Sequence, residues 1–265
     1  MIKQLTIAVF LIFIFNACNN KYEQKKTTIK ENNTISNIQI YETSFLSLDS
    51  LEISAKVYEV SPDAPVILLC HQARFNKFEY EGIAQKLNER GFNCVAIDQR
   101  SGGPISNQIN ETTIRAIEAN KPIGYLDAEQ DILAAINYTA NKYHQKVILW
   151  GSSYSSTLAL YIALSNDQVK AVLSFSPGNY FADEKGSLIE KLALLTKPMF
   201  ITSSKRESSE ISQLISQMTL NKNQVHFIPK GNGHHGSRVL WKQQTDGQEY
   251  WEAVNAFLDS LKNNN

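Results

Sequence analysis

The sequence has few cysteines and no excess of charge of either sign. Three cysteines in 265 residues are too few to build a fold from disulfides, and no Cys-x-x-Cys pair indicates a zinc site. The 26 basic residues balance the 26 acidic residues, so no net charge favours nucleic-acid binding. Hydrophobic residues make up 43% of the chain, which is enough for the core of a globular protein.

The N-terminus carries a short apolar segment. Residues 5–15 are almost wholly apolar and follow Lys3. This run is too short for a transmembrane helix, because a bilayer about 30 Å thick needs roughly 20 apolar residues. A basic start followed by such a run is typical of a signal peptide, which we predict over residues 1–17. The alternative is a buried N-terminal strand or helix.

The residues that follow, Phe15-Asn16-Ala17-Cys18, resemble a bacterial lipobox, in which a small residue precedes the modified cysteine. The resemblance implies that Cys18 is lipidated and becomes the first residue of an exported protein anchored to a membrane of the bacterial cell envelope. Residues 18–37 are polar and rich in Lys and Asn. With almost nothing apolar to bury, they are predicted to form a flexible tether.

From residue 38 onward, short apolar runs alternate with segments of helical period. Residues 38–45 and 51–60 alternate in hydrophobicity and predict an antiparallel hairpin. The later strands are predicted at residues 65–70, 93–97, 146–150, 170–175, 198–202 and 225–228, and the helices at 79–90, 128–143, 153–165, 188–195, 210–218 and 249–261. This alternation predicts one α/β domain over residues 38–265, with a mostly parallel central sheet and helices on both faces.

In open parallel sheets, functional residues lie at the carboxyl ends of the strands. The predicted strand at residues 146–150 is followed by a Gly-x-Ser-x-Ser pattern that begins at Gly151 and ends at Ser155. A nucleophile elbow needs small residues two before and two after its serine, because the turn from strand to helix is sharp. Ser153 is therefore the candidate nucleophile; the alternative is an ordinary serine-rich turn.

A serine nucleophile needs a base, and the stretch Gly-His-His-Gly at residues 233–236 follows the last predicted strand. His235 is preferred because the glycine after it allows the chain to approach the nucleophile closely. His234 is the alternative base. A metal site would need further ligands nearby, and none follow at a suitable spacing.

The base in turn needs an acid to orient it, expected after the strand at residues 198–202. Glu207 is the best candidate, and the rival carboxylates are Glu210, one helical turn on, and Asp183, after the preceding strand. The alternative is that Glu207 is a surface residue beside two basic neighbours.

The strand at residues 65–70 is followed by His71-Gln72-Ala73. Here the chain resembles the α/β-hydrolase superfamily, particularly its dienelactone-hydrolase-like members, which carry a His-Gly-x motif at this position. The resemblance implies that the Ala73 amide, or alternatively that of Gln72, forms an oxyanion hole with the Tyr154 amide. Gln72 stands where the family has glycine. His71 would hold the loop.

The resemblance extends over roughly residues 40–260. Asp98-Gln99-Arg100-Ser101-Gly102-Gly103 is similar to the superfamily's Asp-x-Arg-Gly-x-Gly turn, which implies structural roles for the acid and the arginine. The chain order of serine, acid and histidine is also that of α/β-hydrolases. Ser155 stands where the family usually has a second glycine.

These features predict a serine hydrolase that cleaves an ester or related acyl bond of a small-molecule substrate through an acyl-enzyme. No cofactor is expected, since neither a Gly-x-Gly-x-x-Gly motif nor a phosphate-binding loop is present. The alternatives are a lipid-anchored binding or scaffold protein that kept the fold without the chemistry, and a peptidase that uses the same triad. The sequence does not indicate the oligomeric state.

Two further expectations concern access to the site and the cysteines. Only 22 residues, 176–197, separate two consecutive predicted strands, which leaves no room for a large lid domain. Residues 104–123 are expected to form an irregular polar rim that favours short, water-soluble esters. Cys70 and Cys94 fall on neighbouring parallel strands about 10 Å out of register, beyond the roughly 7 Å limit for a disulfide, so both should be free thiols.

Overall fold

A computed structural model describes residues 27–28, 38–105 and 107–262 of the chain. Its strands are β1 (Thr27–Thr28), β2 (Gln39–Leu46), β3 (Glu52–Glu59), β4 (Val66–Cys70), β5 (Asn93–Ile97), β6 (Val147–Ser152), β7 (Val169–Phe175), β8 (Met199–Thr202) and β9 (Gln224–Phe227). Its helices are α1 (Glu81–Glu89), α2 (Glu111–Glu118), α3 (Glu129–Tyr143), α4 (Tyr154–Ser165), α5 (Ala182–Lys185), α6 (Leu188–Leu192), α7 (Ser208–Leu214) and α8 (Gly247–Lys262). The predicted signal peptide and Cys18 lie outside the described residues.

These strands form one sheet, in the order β1-β2-β3-β5-β4-β6-β7-β8-β9. The first three strands pair antiparallel, β3 is antiparallel to β5, and the strands from β5 to β9 are parallel to their neighbours. Because β4, β5 and β6 are fully buried apolar runs, both faces of the sheet must be covered. This is the mostly parallel sheet that the alternating pattern predicts.

Two apolar cores lie on opposite faces of the sheet. Residues of α1 and α8, including Leu87 and Phe257, pack with Trp150 on one face. Residues of α2, α3, α4, α6 and α7 form the core on the other, which includes Ile132 and Leu158. No helix among the described residues is both long enough and apolar enough to span a membrane.

The expectation of an irregular segment over residues 104–123 is wrong, since residues 111–118 form α2. Asn110 caps the helix by accepting a hydrogen bond from the Thr113 amide at 2.8 Å, and its side chain is buried. Glu111 forms an ion pair with Lys77 at 3.1 Å, and Arg115 donates to Ser54 Oγ at 2.7 Å. The exposed side chains of this segment include polar ones such as Gln108 and Glu118, and also four aliphatic ones, Ile109, Ile114, Ile117 and Ile123.

Cys70 and Cys94 are free and buried, as predicted. Ile67 pairs with Cys94 across the parallel strands, so Cys70 is three residues out of register with it. Burial raises the pKa of both thiols, which therefore remain protonated at neutral pH.

Candidate active site

Ser153 lies between β6 and α4, at the carboxyl end of a central strand. Its backbone has φ 59° and ψ −125°, which residues other than glycine rarely adopt. The strained turn is held from both sides, because Ser153 N donates to Phe175 O at 2.7 Å and Ser153 O accepts from Ser156 N at 2.9 Å. This is the geometry of a nucleophile elbow.

The two small residues of the elbow have separate reasons to be there. A Cβ atom on Gly151 would lie 2.4 Å from Ser156 Cα, so only glycine fits. Ser155 uses its hydroxyl, which accepts from Ser152 N at 2.9 Å and donates to Cys70 O at 2.8 Å. Ser155 therefore joins the elbow to β4, which a glycine could not do.

Ser153, His235 and Glu207 form one chain of hydrogen bonds. His235 Nε2 lies 2.8 Å from Ser153 Oγ, and His235 Nδ1 lies 2.5 Å from Glu207 Oε1. Glu207 ends a 3-10 turn (Lys205–Glu207) directly after β8, and His235 lies on the loop that follows β9. The three strand ends bring together residues that are 28 and 82 positions apart in sequence.

The surroundings of Glu207 keep it ionised. Its Oε2 accepts from Ser176 Oγ and Ser204 Oγ, both at 2.9 Å. Burial opposes ionisation, but the hydrogen bond and charge of His235, with these two hydroxyls, outweigh it and lower the pKa of Glu207 to about 2. Because an ionised carboxylate can only accept, His235 donates from Nδ1 and presents Nε2 to Ser153 as an acceptor.

The alternative residues lie apart from this chain of hydrogen bonds. Asp183 on α5 and Glu210 on α7 are exposed. Among the described residues, neither carboxylate hydrogen-bonds to a histidine, and His234 makes no hydrogen bond to Ser153. The structure thus brings together Ser153, His235 and Glu207 alone among the candidates for nucleophile, base and acid.

Two backbone amides are free to serve as oxyanion donors. Tyr154 is the first residue of α4, so its amide has no partner within the helix. The Ala73 amide donates to none of the described residues, whereas Gln72 N donates to Glu79 Oε2 at 2.7 Å. Of the two candidates in this loop, Gln72 is therefore occupied and Ala73 is available.

His71 and Arg100 have structural surroundings. The buried His71 ring lies 2.8 Å from Gln72 O through Nδ1 and accepts from Gln99 N at 2.9 Å through Nε2. Burial lowers the pKa of His71 to about 4, so the ring is neutral and holds the loop. Arg100 is buried in an ion pair with Asp131 at 2.7 Å.

We compared the chain with known protein families. The model of the dienelactone hydrolase family matches residues 54–232. The chain belongs to the dienelactone hydrolase family. The matched stretch contains the elbow, Glu207 and Ala73, and it ends three residues before His235.

Solved structures show that the chain has the α/β-hydrolase fold. A Pyrococcus furiosus esterase superposes with a TM-score of 0.66 at 15% identity, over 84% of this chain and 91% of that one. A dienelactone hydrolase from Anabaena variabilis gives 0.62 at 15% identity, over 84% and 98%. The predicted fold class is thus confirmed, and among the described residues no large lid accompanies it.

A curated relative adds a similarity in sequence. The acyltransferase drtE of Aspergillus calidoustus is 23% identical over 147 residues, which is 55% of this chain. The chain matches about half of the length of that fungal protein, 45% of it.

Two residues of the site, Glu79 and Tyr180, were not predicted from the sequence. Tyr180 follows β7 and is 52% exposed, and a Cβ atom on Gly178 would lie 2.5 Å from its ring. Burial and the carboxylates of Glu207 and Glu210 raise the pKa of the Tyr180 phenol, and a hydrogen bond with Ser153 acts in the opposite direction. The sequence signal was Gly-Asn-Tyr shortly after a predicted strand.

Proposed function

We propose that the protein is a serine hydrolase that cleaves an ester or related acyl bond through an acyl-enzyme. The observation that supports this most is the hydrogen-bond chain from Ser153 Oγ through His235 to Glu207, with distances of 2.8 and 2.5 Å. In this mechanism Ser153 attacks the substrate carbonyl while His235 takes its proton at Nε2. Glu207 holds the imidazole tautomer and stabilises the imidazolium.

The tetrahedral intermediate carries its negative charge on the former carbonyl oxygen. The amides of Tyr154 and Ala73 supply two donors for this oxygen, and the N-terminus of α4 adds a favourable dipole. His235 then gives its proton to the leaving group. In the second half, His235 deprotonates a water that attacks the acyl carbon, and Ser153 Oγ leaves with the proton.

The second candidate function is transfer of the acyl group to an acceptor other than water, and the similarity to the fungal acyltransferase supports it. An alcohol that competes with water for the acyl-enzyme would give a new ester in proportion to its concentration. Product analysis with added short alcohols separates the two: acid alone as the product excludes transfer to these acceptors.

The proposed substrate is a small, water-soluble ester. Between β7 and β8 the chain forms only the short helices α5 and α6, so no lid domain covers the site from this side. We also propose that the protein is exported and anchored through lipidated Cys18, which rests on the lipobox-like residues 15–18.

A fluorophosphonate probe tests the mechanism, because it labels only an activated serine. We expect mass spectrometry to find the label on Ser153, and Ser153→Ala to carry none. His235→Ala should lose ester turnover, whereas His234→Ala, the matched control, should keep it. An unlabelled native protein, or turnover that survives Ser153→Ala, contradicts the proposal.

A further inference from the structure

A buried carboxylate lies directly behind the site. Glu79 belongs to the 3-10 turn Lys77–Tyr80 that precedes α1, and it is 1% exposed. Its Oε2 accepts from Gln72 N at 2.7 Å, and its Oε1 accepts from Ser152 Oγ at 2.8 Å. Ser152 Oγ in turn accepts from Ser237 N at 2.8 Å.

Each contacted residue is a chain neighbour of a group in the proposed mechanism. Gln72 precedes Ala73, the second oxyanion donor, and Ser152 precedes Ser153. Ser237 follows His235 by two residues. One carboxylate, with one hydroxyl as intermediary, thus ties together the segments that carry the donor, the nucleophile and the base.

No cation of the described residues lies within ion-pair distance of Glu79. The charged and titratable groups facing it are Arg238, after the His235 loop, and Tyr80 on its own turn. Burial raises the pKa of Glu79 to about 7, against the opposing hydrogen bonds of Gln72 and Ser152 and the charge of Arg238. Its protonation state therefore changes near neutral pH.

The hydrogen-bond pattern fits the ionised form. A carboxylate offers only acceptors, which match the Gln72 N–H and the Ser152 O–H. A proton on Oε1 would point at Ser152 Oγ, which already accepts from Ser237 N, and would displace the serine hydrogen from its acceptor. Protonation therefore replaces the charge-assisted bond from Ser152 Oγ to Glu79 with a weaker neutral one, at the residue before the nucleophile.

We propose that Glu79 is a positioning residue, whose ionised carboxylate holds the oxyanion donor, the nucleophile and the base in register. This inference rests on the proposed serine mechanism. It implies that Glu79 contributes one proton to the acid limb of the pH profile of kcat/KM, beyond the proton that the serine mechanism itself requires.

Glu79→Gln tests this, because it keeps the shape and replaces an acceptor with a donor. We expect kcat for a soluble ester to fall about tenfold with little change in KM. The acid limb should change from a two-proton slope in the native protein to a one-proton slope in the variant. Glu81→Gln is the matched control, since Glu81 is two residues on, exposed and paired with Lys56 on the surface; its activity and slope should be native.

Circular dichroism checks whether Glu79→Gln folds. If it folds poorly, two other variants test the same inference, Glu79→Asp and Ser152→Ala. The aspartate variant keeps the charge and should keep the two-proton slope with a lower kcat. Ser152→Ala removes the hydroxyl that Glu79 holds and should give the one-proton slope. The double variant Glu79→Gln, Ser152→Ala should lose no more kcat than the more damaging of its two single substitutions.

The inference is overturned if Glu79→Gln keeps native kcat, or if its kcat falls while the two-proton slope remains. Fluorophosphonate labelling separates this failure from that of the mechanism. A native protein without label on Ser153 rejects the serine mechanism itself. A labelled native protein with unaltered Glu79 variants rejects only the positioning by Glu79.

Discussion

At the residue scale, Glu207 can be tested against its own rivals. Replacing it by Gln removes the charge that stabilises the imidazolium and offers His235 Nδ1 a donor in place of an acceptor. We expect Glu207→Gln to lower kcat by roughly two to four orders of magnitude. Glu210→Gln and Asp183→Asn are matched controls and should hydrolyse a soluble ester at the native rate. A large loss in either control, with a mild one in Glu207→Gln, would move the acid to that residue.

A second prediction at the residue scale concerns Tyr180 and whether it acts in acylation or in deacylation. The Tyr180 phenol lies within hydrogen-bond reach of Ser153, and it can donate to the serine oxygen that departs in deacylation, so it should favour that half of the reaction. We expect Tyr180→Phe to slow deacylation roughly five- to tenfold, the effect of one neutral hydrogen bond, and to produce a burst with p-nitrophenyl acetate.

Tyr125→Phe is the control for this change. Tyr125 is also partly exposed, and its ring packs at a tilt against that of Tyr154 with the centroids 4.7 Å apart, but within the described residues its hydroxyl has no hydrogen bond. It should show native kinetics. Native burst behaviour in Tyr180→Phe would remove the phenol from the mechanism.

The residues that could be found from the sequence are those marked by their neighbours in the chain. Ser153 stands between small residues and His235 beside glycine, and each follows an apolar run. Glu79 carries no such mark, because its contacts arise only in the folded chain. Glu79 reaches Ser152 from 73 positions away, and in sequence it reads as the polar start of a helix.

At the element scale, α2 shows where hydrophobic periodicity misleads. Thr112 and Ala116 are the fully buried residues of this helix, while Ile114 and Ile117 point outward. Small residues face β3 because the helix lies close to it, as the 3.0 Å bond from Ser54 N to Thr112 Oγ shows. A pattern that assigns isoleucine to the core cannot predict this helix.

The elbow gives the element-scale prediction. Gly151→Ala places a Cβ atom 2.4 Å from Ser156 Cα at the start of α4, where backbone rather than a flexible side chain must move. We expect a loss of several kcal/mol in the free energy of unfolding, or no folded protein. Gly82→Ala in α1 is the control, because nothing lies within 4 Å of its new methyl. It should stabilise the protein by about 0.5–1 kcal/mol in thermal or denaturant unfolding.

At the scale of the whole molecule, the alternation of apolar runs and helical segments was sufficient to predict the parallel sheet. Burial of β4, β5 and β6 on both faces demands continuous apolar sequence, and such runs are conspicuous in the chain. The proposed membrane anchor needs a test of its own, since residues 1–26 lie outside the described part of the chain.

Cys18→Ala tests whether lipidation of Cys18 anchors the protein to a membrane. Without the cysteine no lipid can be attached, so we expect the protein to move from the membrane fraction to the soluble fraction of an expressing bacterium. Cys70→Ala is a control, because that thiol is buried in β4; its fractionation should be unchanged. A Cys18→Ala protein that stays in the membrane fraction rejects lipidation as the anchor.

Substrate size is also set at the whole-molecule scale, by what covers the site. The β7–β8 connection carries only α5 and α6, and long acyl chains need a large apolar surface to bind. The aliphatic side chains Ile114 and Ile117, 40% and 57% exposed, lie on a helix whose cap, Asn110, bonds to Phe75 O in the oxyanion loop. Two exposed side chains can contact a few methylenes, but they cannot enclose a long chain.

We therefore expect a p-nitrophenyl ester series from acetate to palmitate to peak at short acyl chains, about acetate to butyrate, with no rise in rate when the ester passes its solubility limit. If α2 contacts the acyl chain, Ile114→Ser should shift the peak toward acetate by raising KM for butyrate while leaving acetate unchanged. Leu194→Ser replaces a more exposed aliphatic residue outside α2 and should leave the profile as it is. A maximum at long chains, or a sharp rise at a lipid interface, would show that an apolar cover forms over Ser153, and the open site inferred from the short β7–β8 connection would be wrong.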